Sequence, residues 1–189
     1  MTSAERGPRP RPAPRGPWVV AQTWNTLLFS HWPVPADLLR SLVPPALDLD
    51  TYDGETWVSI VAFRMSDVRF RLFPGLPGLT AYPQINVRTY VVRDRRPGVY
   101  FLGIETASGG TAALARRWFG LPYHHARIAV EEWDGAIRYA ARRAARWGPP
   151  AEFRAWCRPG GAPAPASPGS LDEWLAERYA CTPPAGAVA

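Results

Sequence analysis

The alternation of apolar and polar positions predicts β-strands over most of this chain. From Trp18 to Trp32 the residues are largely apolar, β-branched or aromatic, as is typical of a strand. Pro35 then opens a short helix, in which leucines recur at helical spacing, and the pair Pro44–Pro45 ends it. The first part of the chain is therefore predicted to be a strand followed by a short helix.

A first hairpin is predicted around Asp53–Gly54, a dipeptide that favours a two-residue turn. It would join a strand over Leu47–Tyr52 to a return strand over Trp57–Phe63. Val68–Leu72 is predicted to continue the sheet, and the prolines and glycines of residues 74–78 indicate a loop.

The middle of the chain contains the clearest strand, Gln84–Val92. We expect Arg96–Pro97–Gly98 to turn it into a second strand over Val99–Ile104. A helix is predicted over about 111–119, and Gly120 is suited to end it.

A second tight turn, Asp134–Gly135, predicts another hairpin. The segment Ala136–Arg146 is rich in Ala and Arg, which favours helix, but the turn requires a return strand, and strand is our prediction. Glu152–Arg158 is a further strand candidate, and Ser170 with Glu173 predicts the capped start of a last helix.

Many short strands with few helices predict an α+β protein built on a curved, largely antiparallel sheet or barrel. We expect one domain over residues 18–179. Residues 1–17 are mostly Pro, Arg and Gly and are expected to form a disordered tail, and residues 180–189 show no pattern and are expected to be unstructured.

The formal net charge is +6, and every basic residue is arginine. Half of this charge lies in residues 1–17, where four arginines oppose one glutamate. The remainder is dilute and forms no basic stripe, so we do not expect a nucleic-acid partner.

Cysteine content and hydropathy indicate the compartment. Cys157 and Cys181 are too few for a disulfide framework or a zinc site, which favours a reducing environment. No stretch is long and apolar enough to cross a bilayer, and no signal peptide is evident. We expect a cytoplasmic protein with no membrane partner.

The absence of lysine restricts the chemistry of this chain. A Schiff base requires an amine that can lose its proton, and the guanidinium of arginine stays protonated. Lysine-dependent decarboxylase, aldolase or pyridoxal chemistry is therefore excluded for these residues.

The strand Gln84–Val92 carries the strongest candidate site. Because side chains alternate across a strand, Gln84, Asn86, Arg88 and Tyr90 share one face, with no acidic residue among them. The row predicts a polar pocket wall on which Arg88 receives an anionic group. The alternative is the solvent-facing side of an ordinary sheet.

Catalytic and metal-binding patterns are weaker. Glu105 ends a predicted strand among apolar residues, where a carboxyl group could act as acid or base, although pairing with an arginine is the commoner outcome. His31 is a second weak catalytic candidate. The histidines and cysteines lack metal-binding spacing, and no nucleotide-binding loop is present, so no metal or cofactor is predicted.

Seven stretches together resemble the bacterial YqjF-like family, domain of unknown function 2071, over roughly residues 18–179. They are His31–Pro35, Leu47–Gly54, Trp57–Met65, Asn86–Val91, Pro97–Phe101, Leu121–Tyr123 and the Glu177–Tyr179 end of the last helix. That family is similar in fold to acetoacetate decarboxylase-like proteins, whose curved sheet encloses a pocket. The resemblance implies that Asn86, Arg88 and Tyr90 line this pocket, but it implies no activity.

Two departures from the family pattern affect the expectation. The family usually has Glu where this chain has Gln84, which cannot exchange a proton. Family members also usually continue beyond the Glu177–Tyr179 motif into strands that close the sheet, so we expect the closing strands to be missing here.

The leading hypothesis is a protein that binds a small anionic or carbonyl-bearing molecule. Arg88 would hold the charged end, and Gln84, Asn86 and Tyr90 would orient the rest. The alternatives are a lysine-independent lyase or hydrolase that uses Glu105 and a histidine such as His31, and a structural or partner-binding module. The sequence predicts neither the ligand nor the oligomeric state.

Overall fold

The computed structural model describes residues 17–71 and 81–181. The loop predicted at residues 74–78 lies outside these ranges, as do residues 1–16 and 182–189 of the two predicted tails. No helix in the described ranges is long and apolar enough to cross a membrane.

Eight strands and three α-helices form in the described part of the chain. In chain order they are β1 (Val20–Val34), α1 (Ala36–Arg40), β2 (Asp48–Leu49), β3 (Thr56–Phe70), β4 (Tyr82–Arg93), β5 (Arg96–Thr106), α2 (Gly109–Phe119), β6 (Tyr123–Trp133), β7 (Ala136–Arg143), β8 (Glu152–Cys157) and α3 (Leu171–Ala176). The sheet order is β1-β3-β4-β5-β6-β7-β8, and β2 pairs with β4. Neighbouring strands are antiparallel except β5 and β6, which are parallel.

The sheet curls into a half-barrel, so both faces of β4 are buried. On one face, β7 folds back and packs Tyr139 and Ala141 against Ala62 and Ile85. The hydroxyl of Tyr139 also donates to a backbone carbonyl of β1. On the other face, Leu175 of α3 packs against the sheet. The predicted α+β class with a curved, largely antiparallel sheet is confirmed.

Local signals placed several boundaries correctly. Gly120 has a φ of +61° and ends α2, as predicted. Asp134 and Gly135 both have positive φ and form the tight turn between β6 and β7. The strand prediction after this turn is confirmed as far as Arg143, beyond which the chain leaves the sheet and forms a 3-10 turn at Ala145–Trp147.

The turn predicted at Arg96–Pro97–Gly98 is wrong. Asp94 and Arg95 make the turn, with φ of +50° and +61°, and Pro97 and Gly98 lie inside β5 opposite β4. Glycine is needed at position 98 for a different physical reason. A Cβ there would approach the carbonyl oxygen of Ala180 to 2.7 Å. The glycine therefore permits a close backbone approach, not a turn.

The first predicted hairpin is correct at its turn and in its return strand, since Trp57–Phe63 lies within β3, but it is wrong in its strand pairing. Asp53 and Gly54 have positive φ, and Tyr52 forms a bridge with Glu55. The strand before the turn does not pair with β3, however, because β2 pairs with the far end of β4. The physical reason is burial: the segment just before β2 packs its apolar residues against Val91 in a separate core cluster.

The last helix starts as predicted but ends earlier than expected. The Ser170 hydroxyl accepts a hydrogen bond from the Glu173 amide at 3.2 Å, and the helix ends at Ala176. The Glu177–Tyr179 motif is therefore not helical. Instead, the Arg178 side chain lies next to the residue that follows β2, and its guanidinium donates to Asp50 at 2.6 Å.

Two residues assigned to the predicted C-terminal tail lie against the sheet. The Val99 amide donates to the Ala180 carbonyl at 2.9 Å, and Cys181 forms a parallel bridge with Val99. This contact covers the start of β5, where β6 has not yet joined the sheet.

Candidate functional site

The four residues of the predicted polar row are buried inside the half-barrel. Their exposed fractions are 3% for Gln84, 3% for Asn86, 9% for Arg88 and 0% for Tyr90. The alternative of a solvent-facing row is therefore wrong. We call this side of β3, β4 and β5 the Arg88 face, and the opposite side, which carries Glu105, the Glu105 face.

The neighbours of Arg88 are set by strand register. Ser59 on β3 lies opposite Arg88 on one side, and Phe101 on β5 lies opposite it on the other. The guanidinium carbon lies 4.7 Å from the centre of the Phe29 ring on β1. Arg88 thus extends across a largely aromatic surface.

Arg88 is a buried cation without a carboxylate partner. Nη2 donates to the carbonyl of Leu175 at 3.2 Å, and the buried Nε has no hydrogen-bond partner. No carboxylate in the described ranges forms an ion pair with it. Burial lowers the pKa of Arg88, while Tyr90 opposes this lowering.

A second arginine on the same side has a carboxylate partner. Arg178 pairs with Asp50 and donates from Nε to the Trp174 carbonyl at 2.7 Å. Its guanidinium also stacks 4.2 Å from the centre of the Trp174 ring. Of these two guanidiniums, Arg88 is the one with a buried nitrogen that has no hydrogen-bond partner among the described residues.

A hydrogen-bonded chain of three side chains adjoins Arg88. The Tyr90 hydroxyl lies 2.5 Å from the Ser59 hydroxyl, which lies 3.2 Å from His31 Nδ1. Burial lowers the pKa of His31, and the positive charge of Arg88 adds to this, while Asp172 raises it. His31 is therefore favoured in its neutral form. The sequence indicated His31 alone and did not indicate its contact with Ser59.

The other end of the row contains an amide pair and a tyrosine that sequence reasoning missed. Gln84 Nε2 donates to Asn86 Oδ1 at 2.8 Å, whereas the buried Gln84 Oε1 has no partner. Burial raises the pKa of Tyr123 to about 12, with a further increase from Tyr82 and an opposing hydrogen bond from Gln84. Tyr123 thus remains a hydroxyl donor. Its only sequence signal was the Leu121–Tyr123 motif.

Glu105 lies on the opposite face of the sheet from His31, so the structure does not bring these two candidates together. Arg143 on β7 donates to Glu105 Oε1 from Nη2 at 2.5 Å and from Nε at 3.0 Å. Nδ1 of His124 lies 3.6 Å from the same oxygen. Pairing with an arginine, the commoner outcome for such a carboxylate, is confirmed.

Grooves on other parts of the described structure lack a buried charged group without a partner. One of about 450 Å³ between β1, β3 and the start of β4 is lined in part by Thr26, whose buried Oγ1 has no hydrogen-bond partner among the described residues. Grooves of about 350 and 400 Å³ lie on the outer layer of β6, β7 and β8, lined mainly by alanines, arginines and Glu152. None of their lining residues has a buried side-chain atom without a hydrogen bond. Across residues 17–71 and 81–181, no three His, Cys, Asp or Glu side chains converge as metal ligands.

Comparison with solved structures defines the fold class. Acetoacetate decarboxylase from Legionella pneumophila superposes with a TM-score of 0.52 over 70% of this chain and 50% of its own, at 17% identity. The enduracididine biosynthesis enzyme MppR, in complex with the condensation product of pyruvate and imidazole 4-carboxaldehyde, gives 0.51 over 67% of this chain and 52% of its own, at 13% identity. These likenesses show an acetoacetate decarboxylase-like fold. The chain spans about half the length of these two proteins.

Sequence comparison then gives the family. The family DUF2071, described as an uncharacterized conserved protein, matches residues 21–182. The uncharacterized protein YqjF of Bacillus subtilis is 43% identical over 166 residues, which are 88% of this chain and 68% of YqjF. The chain belongs to the DUF2071 family, so the resemblance drawn from its motifs is confirmed.

Proposed function

We propose that this chain binds a small anionic or carbonyl-bearing molecule through Arg88, without lysine chemistry. The observation that supports this is an arginine that is 9% exposed and has no carboxylate partner among the described residues. A lysine in this position could lose its proton, but an arginine cannot escape the cost of burial in this way.

An anion on Arg88 would supply what the side chain lacks. It would neutralise the charge and accept a hydrogen bond from Nε, which has no partner. Charged hydrogen bonds of this kind are stronger than neutral ones when water is excluded. The arrangement therefore favours the bound state over a buried, unpaired cation.

The rest of the polar row would orient the bound molecule. Asn86 is adjacent to Arg88 on the same face of β4, and Gln84 beyond it offers an unused acceptor. Tyr90 already contacts Ser59 and is completely buried, so its role would be to fix the wall next to Arg88.

Equilibrium binding to small carboxylates tests the proposal. We expect isothermal titration calorimetry to show saturable binding to wild type, with Arg88→Gln reducing affinity by at least about tenfold, as for the loss of a charged hydrogen bond. Arg93→Gln is the matched control, because Arg93 lies exposed at the end of the same strand. Binding that is equal in both variants would refute the role of Arg88.

The hydrogen-bonded chain of His31, Ser59 and Tyr90 favours a second candidate, a lysine-independent lyase or hydrolase. A neutral histidine bonded to a hydroxyl is an arrangement that can accept a proton. Glu105 would not serve the same site, because it lies on the other face. Turnover that survives His31→Ala would remove His31 from this account, and turnover that falls with Glu105→Gln, in a folded variant, would contradict our placement.

A further inference from the structure

We infer that the molecule held by Arg88 is a carboxylate with an aromatic or other apolar body, and not a small hydrophilic anion such as phosphate. This inference rests on the proposed function and specifies the chemical class of the ligand.

The surface around Arg88 is the first reason. Phe29 lies under the guanidinium, and Phe101 is its cross-strand neighbour on β5. Both belong to a set of apolar side chains that stay only partly buried beside the core of the Arg88 face: Phe29, Trp57, Phe101, Leu171 and Trp174. An apolar ligand body would remove this remaining surface from water, which a hydrated oxoanion cannot do.

The local charge is the second reason. Arg178, the other guanidinium near Arg88, is already neutralised by Asp50. One unpaired guanidinium therefore remains, which matches the single negative charge of a carboxylate. A phosphate dianion would carry more charge and more acceptors than Arg88 can satisfy.

The donor geometry is the third reason. Arg88 offers an unpaired Nε, and its Nη2 donates to one backbone carbonyl. A planar carboxylate can accept from Nε and from a neighbouring Nη in a two-bond fork.

Calorimetric titration with benzoate, cyclohexanecarboxylate, acetate and inorganic phosphate at pH 7 tests the inference on the wild-type chain. We expect both apolar acids to bind at least about tenfold more tightly than acetate, from burial of their rings. Phosphate should bind no better than acetate. Equal affinity for all four anions, lost in Arg88→Gln, would overturn the ligand class but leave the proposed function intact.

Two variants of Phe101 test whether this side chain causes the preference for apolar acids. Phe101→Ala should reduce benzoate affinity about tenfold and leave acetate affinity unchanged, whereas Phe101→Leu should retain most of the preference. Trp118→Ala is the control, because this tryptophan is 62% exposed on α2. Loss of the preference in Trp118→Ala, or its survival in a folded Phe101→Ala, would contradict the assignment. If no anion binds in an Arg88-dependent manner, both the inference and the proposed function fail.

Discussion

Each face of the central strands contacts an arginine whose side chain is largely buried, but the two arginines differ in their partners. On the Glu105 face, Arg143 has a carboxylate at 2.5 Å and also donates to the Pro149 carbonyl. On the Arg88 face, Arg88 has one backbone carbonyl and an Nε without a partner.

This difference separates an arginine whose charge is paired within the fold from one that we propose to bind a ligand. Arg143 connects β7 and its following loop to β5, so its charge is used within the protein. Arg88 is buried at a cost that no described carboxylate offsets. Burial alone therefore does not distinguish the two arginines, whereas the absence of a described carboxylate partner does.

The largest effect should come from breaking the Glu105–Arg143 pair. Because Glu105→Gln leaves Arg143 buried without its counter-charge, we expect a loss of about 3–5 kcal/mol in the free energy of unfolding, measured with urea. Glu131→Gln is the matched control: its carboxylate lies 3.7 Å from Arg138, both side chains are 65% exposed, and little change is expected. Similar losses in the two variants would show that the buried pair contributes no more to the free energy of unfolding than the exposed pair.

A smaller loss is expected at the paired arginine on the Arg88 face. Asp50→Asn removes the charge that faces Arg178, whose side chain is 4% exposed. We expect about 2 kcal/mol of destabilisation in the same urea experiment, because the ion pair becomes a hydrogen bond from the charged guanidinium to a neutral amide. Asp53→Asn, in the exposed turn of the same segment, serves as control, and an equal effect there would argue against the pair.

Elements with a local cause could be predicted from the sequence. Gly120 and Asp134–Gly135 act through their own backbone conformations, so their turns are readable from a few residues. The pairing of β2 with β4 and the close approach of Ala180 to Gly98 depend on distant segments. No local pattern contains that information, which is why the first hairpin and the turn before β5 were mispredicted.

The candidate site also combines features that a local pattern predicts with features that depend on distant segments. Alternation along β4 placed Gln84 and Arg88 on one face, because the two-residue period is a property of any strand. The contact of His31 with Ser59 joins residues that are 28 positions apart, and α3 reaches the row from the far end of the chain. These contacts follow from the strand order and the curl of the sheet.

Replacing Arg88 by an apolar side chain should cost little stability. Arg88→Met removes the hydrogen bonds to Leu175 and Tyr90 but also removes a buried charge with no carboxylate partner among the described residues. We therefore expect the free energy of unfolding to stay within about 1 kcal/mol of wild type. Arg143→Met is the matched comparison, and it should lose about 3 kcal/mol because Glu105 then stays buried without its arginine partner. A loss at Arg88 as large as that at Arg143 would mean that Arg88 already has a compensating partner.

The smallest effect is a difference between two histidines. Burial lowers the pKa of both His31 and His124, and a neighbouring arginine lowers each further: Arg88 acts on His31, and Arg143 on His124. Since protonation is disfavoured in the folded state, both histidines should reduce stability as pH falls below about 6.5, the ordinary histidine value.

A carboxylate ligand should change the pKa of one of these two histidines and not that of the other. By neutralising Arg88 it should raise the pKa of His31 towards the ordinary value and leave that of His124 unchanged, since Glu105 already faces Arg143. NMR titration of the imidazole protons with and without benzoate measures this, with His31→Gln to assign the signals. Binding should accordingly strengthen as pH falls through the shifted His31 pKa. A change in the pKa of both histidines together would place the anion away from Arg88. An unchanged His31 pKa in a sample saturated with benzoate would lead to the same conclusion.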